Sequence, residues 1–318
     1  SRHLGVGFFY LCAMNKIFLL FYFFTSSSLF SQDTLMPVIM LDDVLISVEN
    51  NGFTVEDFVG YVKKDTTFYM GFKHLRYYTH NYESELNIFN KKGKVIGTLR
   101  KEGIHYSNGE KAWLVNDTIF NEGKILKRNG EYKYYTPEAF DEVFFPKDTI
   151  DVSLTMSEEK NEKDSQNMRD AKTIGFSIGT DGVEQTKGGL SKKLAVFDIS
   201  MQQYYDYTIS DTIYKGKECY VFVVKIKKEI KAKDREKALI RKIASYFDKE
   251  NFNVIYREYK FVYKHFLIDL DMDVFVHMDY VNRKHVPTEI YYKGFWNVLF
   301  FKAERAEFML KNTNYLVN

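Results

Sequence analysis

Residues 268–280 read Ile268-Asp-Leu-Asp-Met-Asp-Val-Phe-Val-His-Met-Asp-Tyr280. Ile268, Leu270, Met272, Val274, Val276, Met278 and Tyr280 fall on one parity. Asp269, Asp271, Asp273, His277 and Asp279 fall on the other, with Phe275 as the one apolar intruder. Side chains of a strand alternate between faces with period 2. The stretch is therefore predicted to be a strand with one dry face and one acidic, wet face.

The surrounding C-terminal half repeats this chemistry. Tyr204–Ile213 and Cys219–Lys227 flank Tyr214-Lys-Gly216-Lys, a predicted hairpin. On the second of these strands Tyr220, Phe222 and Val224 share a face. Residues 251–264, 286–293 and 296–309 read as further strands, with turns expected at Asn282–His285 and Lys293–Gly294. Lys231–Lys249 reads as an amphipathic helix (about 234–248), because Leu239, Ile240, Ile243, Tyr246 and Phe247 recur at helical spacing among charges.

The N-terminal half reads as a helix opened by Thr54, then an aromatic stretch over Thr66–Tyr78 that is a second short helix or an irregular cover. A β-meander over Glu83–Tyr135 follows, punctuated by Asn90-Lys-Lys-Gly93, Ser107-Asn-Gly109 and Arg128-Asn-Gly130. Thr136-Pro137 then opens a helix, with Thr136 as its cap and Pro146 as its stop. Asp151–Lys172 is almost devoid of apolar residues and is expected to be a polar linker. The expected divisions are a leader region 1–32, an N-terminal helix and meander 33–150, the linker 151–172, and a C-terminal antiparallel β-domain with one helix, 173–318.

Composition points the same way. The 318 residues include 28 Phe and 24 Tyr, residues that favour strands, and only 4 Pro. The formal net charge is +2, and without Arg2 and Lys16 the remainder balances. Such a neutral body argues against nucleic-acid binding, which needs a basic surface. Met14-Asn-Lys16, the apolar octet Ile17–Phe24 and the small-residue exit Thr25–Gln32 form the pattern of a secretory signal peptide. The competing reading is a membrane anchor, since Leu4–Phe30 is long and mostly apolar. The expected location is the periplasm or the outer-membrane surface of a Gram-negative envelope. Cys219, in a strand pattern, is expected to be a buried small hydrophobe.

Chemical motifs fail one by one. Asp269-x-Asp271-x-Asp273 begins like a calcium loop, but Val274 stands where Gly is needed and Tyr280 where the bidentate Glu is needed. His265 and His277 fall on adjacent predicted strands and are expected to be able to meet, without any zinc spacing. Gly175, Gly179 and Gly182 lack the ending of a phosphate loop, and Lys187–Lys193 reads as a solvated turn. No catalytic residue, metal or cofactor is assigned. The positive signal is the dry face, which a helix must cover or a curled sheet enclose. Candidate ligand-cavity residues are Tyr220, Phe222, Val224, Leu270, Met272, Val274, Val276 and Met278. The competing reading is an ordinary filled core in a structural or protein-interaction module of the envelope, and a third is a hydrolase with a scattered site.

The leader, a lone helix against many strands, and the long alternating strands over Tyr204–Phe308 resemble the LolA/LolB type of envelope protein. The resemblance implies an α+β, β-dominated fold: a curved antiparallel sheet, barrel-like but unclosed, covered by a few helices. It implies a lipid or lipoprotein acyl chain as ligand, while an envelope protein partner is the expectation of the protein-interaction reading. It is one of pattern, and transfers no functional residue to a numbered position.

Overall fold

The computed structural model describes residues 60–62, 65, 67–153, 196–265, 268–282 and 284–316. These form one eleven-stranded antiparallel sheet that is not closed, with a few short helices. The strands are β1 (Thr79–Phe89), β2 (Val95–Ser107), β3 (Lys111–Gly123), β4 (Ile150–Asp151), β5 (Tyr205–Tyr214), β6 (Lys217–Ile226), β7 (Ile240–Asp248), β8 (Val254–His265), β9 (Ile268–Val281), β10 (Lys284–Val298) and β11 (Glu304–Leu316). The helices are α1 (Thr67–Leu75), α2 (Tyr135–Phe144), α3 (Ile199–Gln202) and α4 (Ala232–Arg235).

The strand order is β4-β3-β2-β1-β11-β10-β9-β8-β7-β6-β5. With α2 inserted between β3 and β4 and α4 between β6 and β7, every neighbouring pair is consecutive in sequence except one. There the first strand of the chain lies beside the last, with Leu86 opposite Phe308. The strands before and after the polar 151–172 stretch thus share a single sheet.

β9 runs as its alternation predicts. Leu270, Met272, Val274 and Val276 are essentially inaccessible, whereas Asp271 and Asp279 are exposed. On the wet face Lys260 reaches Asp271 at 3.0 Å and Asp273 at 3.2 Å, so the aspartates answer a cross-strand lysine. The β5–β6 hairpin turns through Lys215 and Gly216, both at positive φ. Cys219 is free and buried, as expected.

Three expectations need correction. The helix expected over 234–248 is instead strand β7, preceded by the four-residue α4. The cause is a bulge: Ile240 pairs with Phe261 and Lys242 with Lys260, which leaves Arg241 as an extra residue. The extra residue puts Ile240 on the same face as Ile243 and Phe247, and so imitates helical spacing in a strand. Arg241 uses its guanidinium to donate to the carbonyls of Arg235 (2.5 Å) and Ala238 (2.7 Å).

The turn expected at Lys293–Gly294 does not exist either. β10 runs straight through it to Val298, and the chain turns at Leu299–Phe301, with Phe300 at φ +72°. His265 and His277 do not meet, because His265 pairs with Ile268 at the turn while His277 pairs with Tyr256, far along the ladder.

The helix expected from Thr54 lies mostly outside the described residues, as do the polar linker, the glycine-rich stretch and Lys187–Lys193. The aromatic stretch resolves into helix α1. Asp65 caps it, accepting from the Thr67 backbone amide (3.0 Å) and hydroxyl (2.6 Å).

Candidate functional site

One face of the sheet carries a continuous apolar row in direct cross-strand register. It runs Tyr207–Val224–Ile243–Tyr259–Val274–Tyr292–Phe308–Leu86–Leu99 across nine strands. All nine residues are buried. Full burial of such side chains contributes roughly 1.5–3 kcal/mol each, so this face must be covered. Tyr259 and Tyr292, which flank Val274, share a side-chain hydrogen bond, and their phenols need no water.

The next row is different in kind. Met272 pairs with Gly294, Gly294 with Ala306, Ala306 with Ile88, and Ile88 with Gly97. Small residues at 294, 306 and 97 make a furrow between the row of Tyr292 and Phe308 and the flanking Trp296. A Cβ at position 294 would stand 2.6 Å from the Asp271 carbonyl oxygen, so glycine is what lets the backbones approach there.

Helix α2 fills the furrow. The Phe140 ring lies 4.5 Å from Phe308, 5.0 Å from Tyr292 and 6.2 Å from Trp296 between centroids. The recess that remains is lined by Thr136, Phe140, Met272, Tyr292, Lys293, Gly294, Trp296, Ala306 and Phe308, and has no room for a water molecule. Short aromatic contacts of this geometry are worth about 0.5–1.5 kcal/mol beyond burial.

Polar hooks hold α2 in place. Its N-cap residue, Tyr134, makes no side-chain capping bond. Glu304 of β11 substitutes: its Oε1 accepts from the Thr136 amide (2.7 Å) and hydroxyl (2.8 Å). Thr136, expected to be the cap, is thus a donor inside the first turn. The cap comes from a strand 168 residues away, which no local pattern could reveal. Farther along, Asp141 accepts from Lys101 Nζ at 2.6 Å and from the Tyr132 hydroxyl. Lys101 also lies 4.9 Å from the Phe145 ring.

Glu304 is 3% exposed, and its Oε2 has no partner. Burial pushes its carboxyl up to about 7, against the opposing pull of the Thr136 and Tyr135 hydrogen bonds. The folded state therefore holds this proton more tightly than the unfolded chain does. Its stabilising contribution is full below about pH 4.5 and is lost as pH rises toward 7. Buried His80, held down to about 3 chiefly by desolvation, acts in the opposite sense as pH falls from about 6.5 toward 3, a window that overlaps that of Glu304. A comparison that cancels the histidines is therefore needed. In paired thermal melts, the wild type is expected to lose ground relative to Glu304→Gln as pH rises from about 4.5 to 7. A constant difference across that range would exclude a buried, protonated Glu304.

Helix α1 covers the neighbouring part of the floor. Phe68 and Phe72 point inward with ring centroids 5.3 Å apart. Arg257, buried at 3%, lies 4.2 Å from the Phe68 ring and donates to Ser245 Oγ at 2.8 Å, with Asp65 at 3.8 Å. A Cβ at Gly71 would fall 2.2 Å from Met278 Cε, so α1 sits close on the sheet.

The eight residues singled out from the sequence all belong to this core. Of these, Met272 lines the recess at α2. Leu270 pairs with Trp296, Val274 with Tyr292, and Val276 with Ile290, on the same floor. Met278 lies under α1. Tyr220, Phe222 and Val224 belong to the other wing. There Phe222 stacks with Tyr207 and Phe197, and Tyr220 with Phe252. Sequence reasoning placed Phe140 on the buried side of its helix without giving it this role, and missed Gly294, Trp296, Ala306 and Phe308 as site residues. One signal was present: Ile290, Tyr292 and Trp296 keep one parity straight through Gly294, which argues for an uninterrupted strand.

Comparisons with known proteins give little beyond this. No protein-family profile matches the chain, and no curated protein matches it. Among solved structures, it is similar to a DUF1329 family protein from Desulfovibrio piger ATCC 29098, at 10% identity and a TM-score of 0.26, over 76% of this chain and 85% of that one. It is also similar to a putative outer membrane lipoprotein-sorting protein domain from Vibrio parahaemolyticus, at 9% identity and a TM-score of 0.24, over 77% and 88%. Likeness at this level carries no inference about the chain.

Proposed function

We propose that this is an exported envelope protein that holds an apolar chain, such as the acyl chain of a lipid or lipoprotein, against the sheet floor. The seat is the furrow over Gly294 and Ala306. The chain takes the place of the Phe140 ring as α2 yields. One observation carries the reading: a nine-strand apolar floor with a small-residue furrow is stopped at its deepest point by an aromatic from one ten-residue helix. The remaining candidate residues lie on one side of the furrow, Leu270 to Met278 on the adjacent strand β9 and Tyr220, Phe222 and Val224 farther out on β6. The leader over 1–32 supports the location. The chemistry asked of the site is shape and dryness, and no proton transfer or nucleophile is invoked.

A second reading has its own observation. The recess at α2 has no room for a water molecule, as expected for a filled core in a structural or protein-interaction module. Titration with a fluorescent fatty acid separates the two. The carrier reading expects saturable binding in the micromolar range or tighter, competed by unlabelled fatty acid. Absence of saturable uptake at any accessible concentration would favour the filled core.

A further inference from the structure

The β10–β11 turn displays an aromatic ring that packing does not call for. Phe300 is 95% exposed and Leu299 is 48% exposed. Phe300 also sits at φ +72°, a conformation that glycine adopts at least cost. A strained backbone that presents a bare ring to water is an outlier that points to a contact outside the fold.

Sheet register fixes what lies beside this tip. Phe89 at the end of β1 pairs with Arg305 at the start of β11 and with Val95 at the start of β2, while Gly97 pairs with Gly123 near the end of β3. The β1–β2 turn, the exit from β3 and the β10–β11 turn therefore line one end of the sheet. That end is basic. Lys91, Lys92 and Lys94 of the β1–β2 turn are exposed, as are Lys124 and Arg128 after β3 and Lys302 beside the tip. The acids there are largely spoken for. Glu304 is buried against α2, Glu131 pairs with Lys127 at 3.2 Å, and Asp269 faces Lys264 across the β8–β9 ladder, which leaves Glu122 and the half-buried Glu138 beside Lys127. Val95 and Leu126 add exposed apolar surface, at 43% and 38%.

An apolar tip ringed by lysines suits an anionic lipid surface. The ring enters the boundary of headgroups and acyl chains, and the ammonium groups meet the phosphates. Among the described residues no helix is long and apolar enough to cross a membrane. We propose that this end of the sheet docks on an anionic bilayer, with Phe300 and Leu299 as the inserted residues and the β1–β2 lysines on the headgroups. Its purpose rests on the carrier reading. The Phe301 ring lies 5.5 Å from Tyr135 at the start of α2, so docking brings the end of the furrow to the lipid. The docking itself is measured separately.

The test is co-sedimentation of the whole protein with vesicles of phosphatidylcholine containing phosphatidylglycerol, and with phosphatidylcholine alone. Binding to the anionic vesicles is expected, weakened by salt. Phe300→Gly relaxes the backbone, so its thermal midpoint should not fall, yet its vesicle affinity should drop about tenfold or more, the worth of one buried ring. Replacing Lys91, Lys92 and Lys94 with Gln should reduce binding and flatten the salt dependence. Wild-type affinity in folded Phe300→Gly, or salt-insensitive binding to both vesicle types, would overturn the proposal. No binding by the wild type would assign the tip to a protein partner and overturn it too. Fatty-acid titration of Phe300→Gly in solution keeps the two ideas apart. If docking fails while acyl binding persists, this inference falls alone. If acyl binding fails while docking persists, the carrier reading falls alone.

Discussion

Asp141→Ala is expected to lower the free energy of unfolding by about 3–5 kcal/mol, measured by urea denaturation. The reason is the charge left behind. Lys101 and Asp141 have side chains only 9% and 15% exposed, and their contact at 2.6 Å joins the middle of α2 to β2. Removing the carboxylate strands an ammonium group in a partly apolar site beside the Phe145 ring and orphans the Tyr132 hydroxyl. The double substitution Lys101→Met with Asp141→Leu removes both charges together, and should recover most of the loss. A loss below about 1 kcal/mol for Asp141→Ala, the range of an exposed pair, would mean that α2 is not held to the sheet by this contact.

Phe140→Ala is expected to cost a similar amount, about 3–5 kcal/mol, by a different mechanism. It removes the ring that stops the furrow and leaves an apolar cavity over Gly294 and Ala306. Such a cavity stays dry and takes apolar guests. A fatty acid that fills it should return stability by mass action, about 2.7 kcal/mol at a concentration one hundred times its dissociation constant. Paired melts with and without fatty acid check both halves. Destabilisation without ligand rescue would show that the furrow is core and not a seat.

How far the sequence announced this structure depends on what each feature is made of. The dry face of β9 was legible because parity is a local property: Leu270 to Met278 alternate without interruption, and a strand permits only one reading. β7 was not legible, because the Arg241 bulge gives Ile240, Ile243 and Phe247 the spacing of a helix. The furrow was hidden because it consists of absent side chains. Gly294 carries the usual signature of a turn, and its role appears only when Ala306 and Met272 are paired with it. The true turn was hidden for the opposite reason, since Leu299-Phe300-Phe301 has none of the chemistry that marks turns. The cap of α2 comes from Glu304, and the plug comes from Phe140, far from the strands it covers. Long-range partners of that kind leave no local trace in a single chain.

The residues chosen from alternation are buried core residues of one sheet face, and alternation alone does not show what covers them. Position 274 shows what that distinction means in practice. Val274 sits between Tyr259 and Tyr292 at the middle of the row, where a charge has neither water nor partner. The furrow one row away, over Gly294 and Ala306, is where the proposed ligand would compete with Phe140 for the same space.

That competition is most directly measured by native mass spectrometry of the whole protein after gentle extraction from the cells that make it. Wild-type protein is expected to carry a non-covalent lipid or acyl mass, and Phe140→Ala to retain at least as much. Wild-type and Phe140→Ala proteins that both fly at the bare polypeptide mass, and take up no added fatty acid, would contradict the carrier reading.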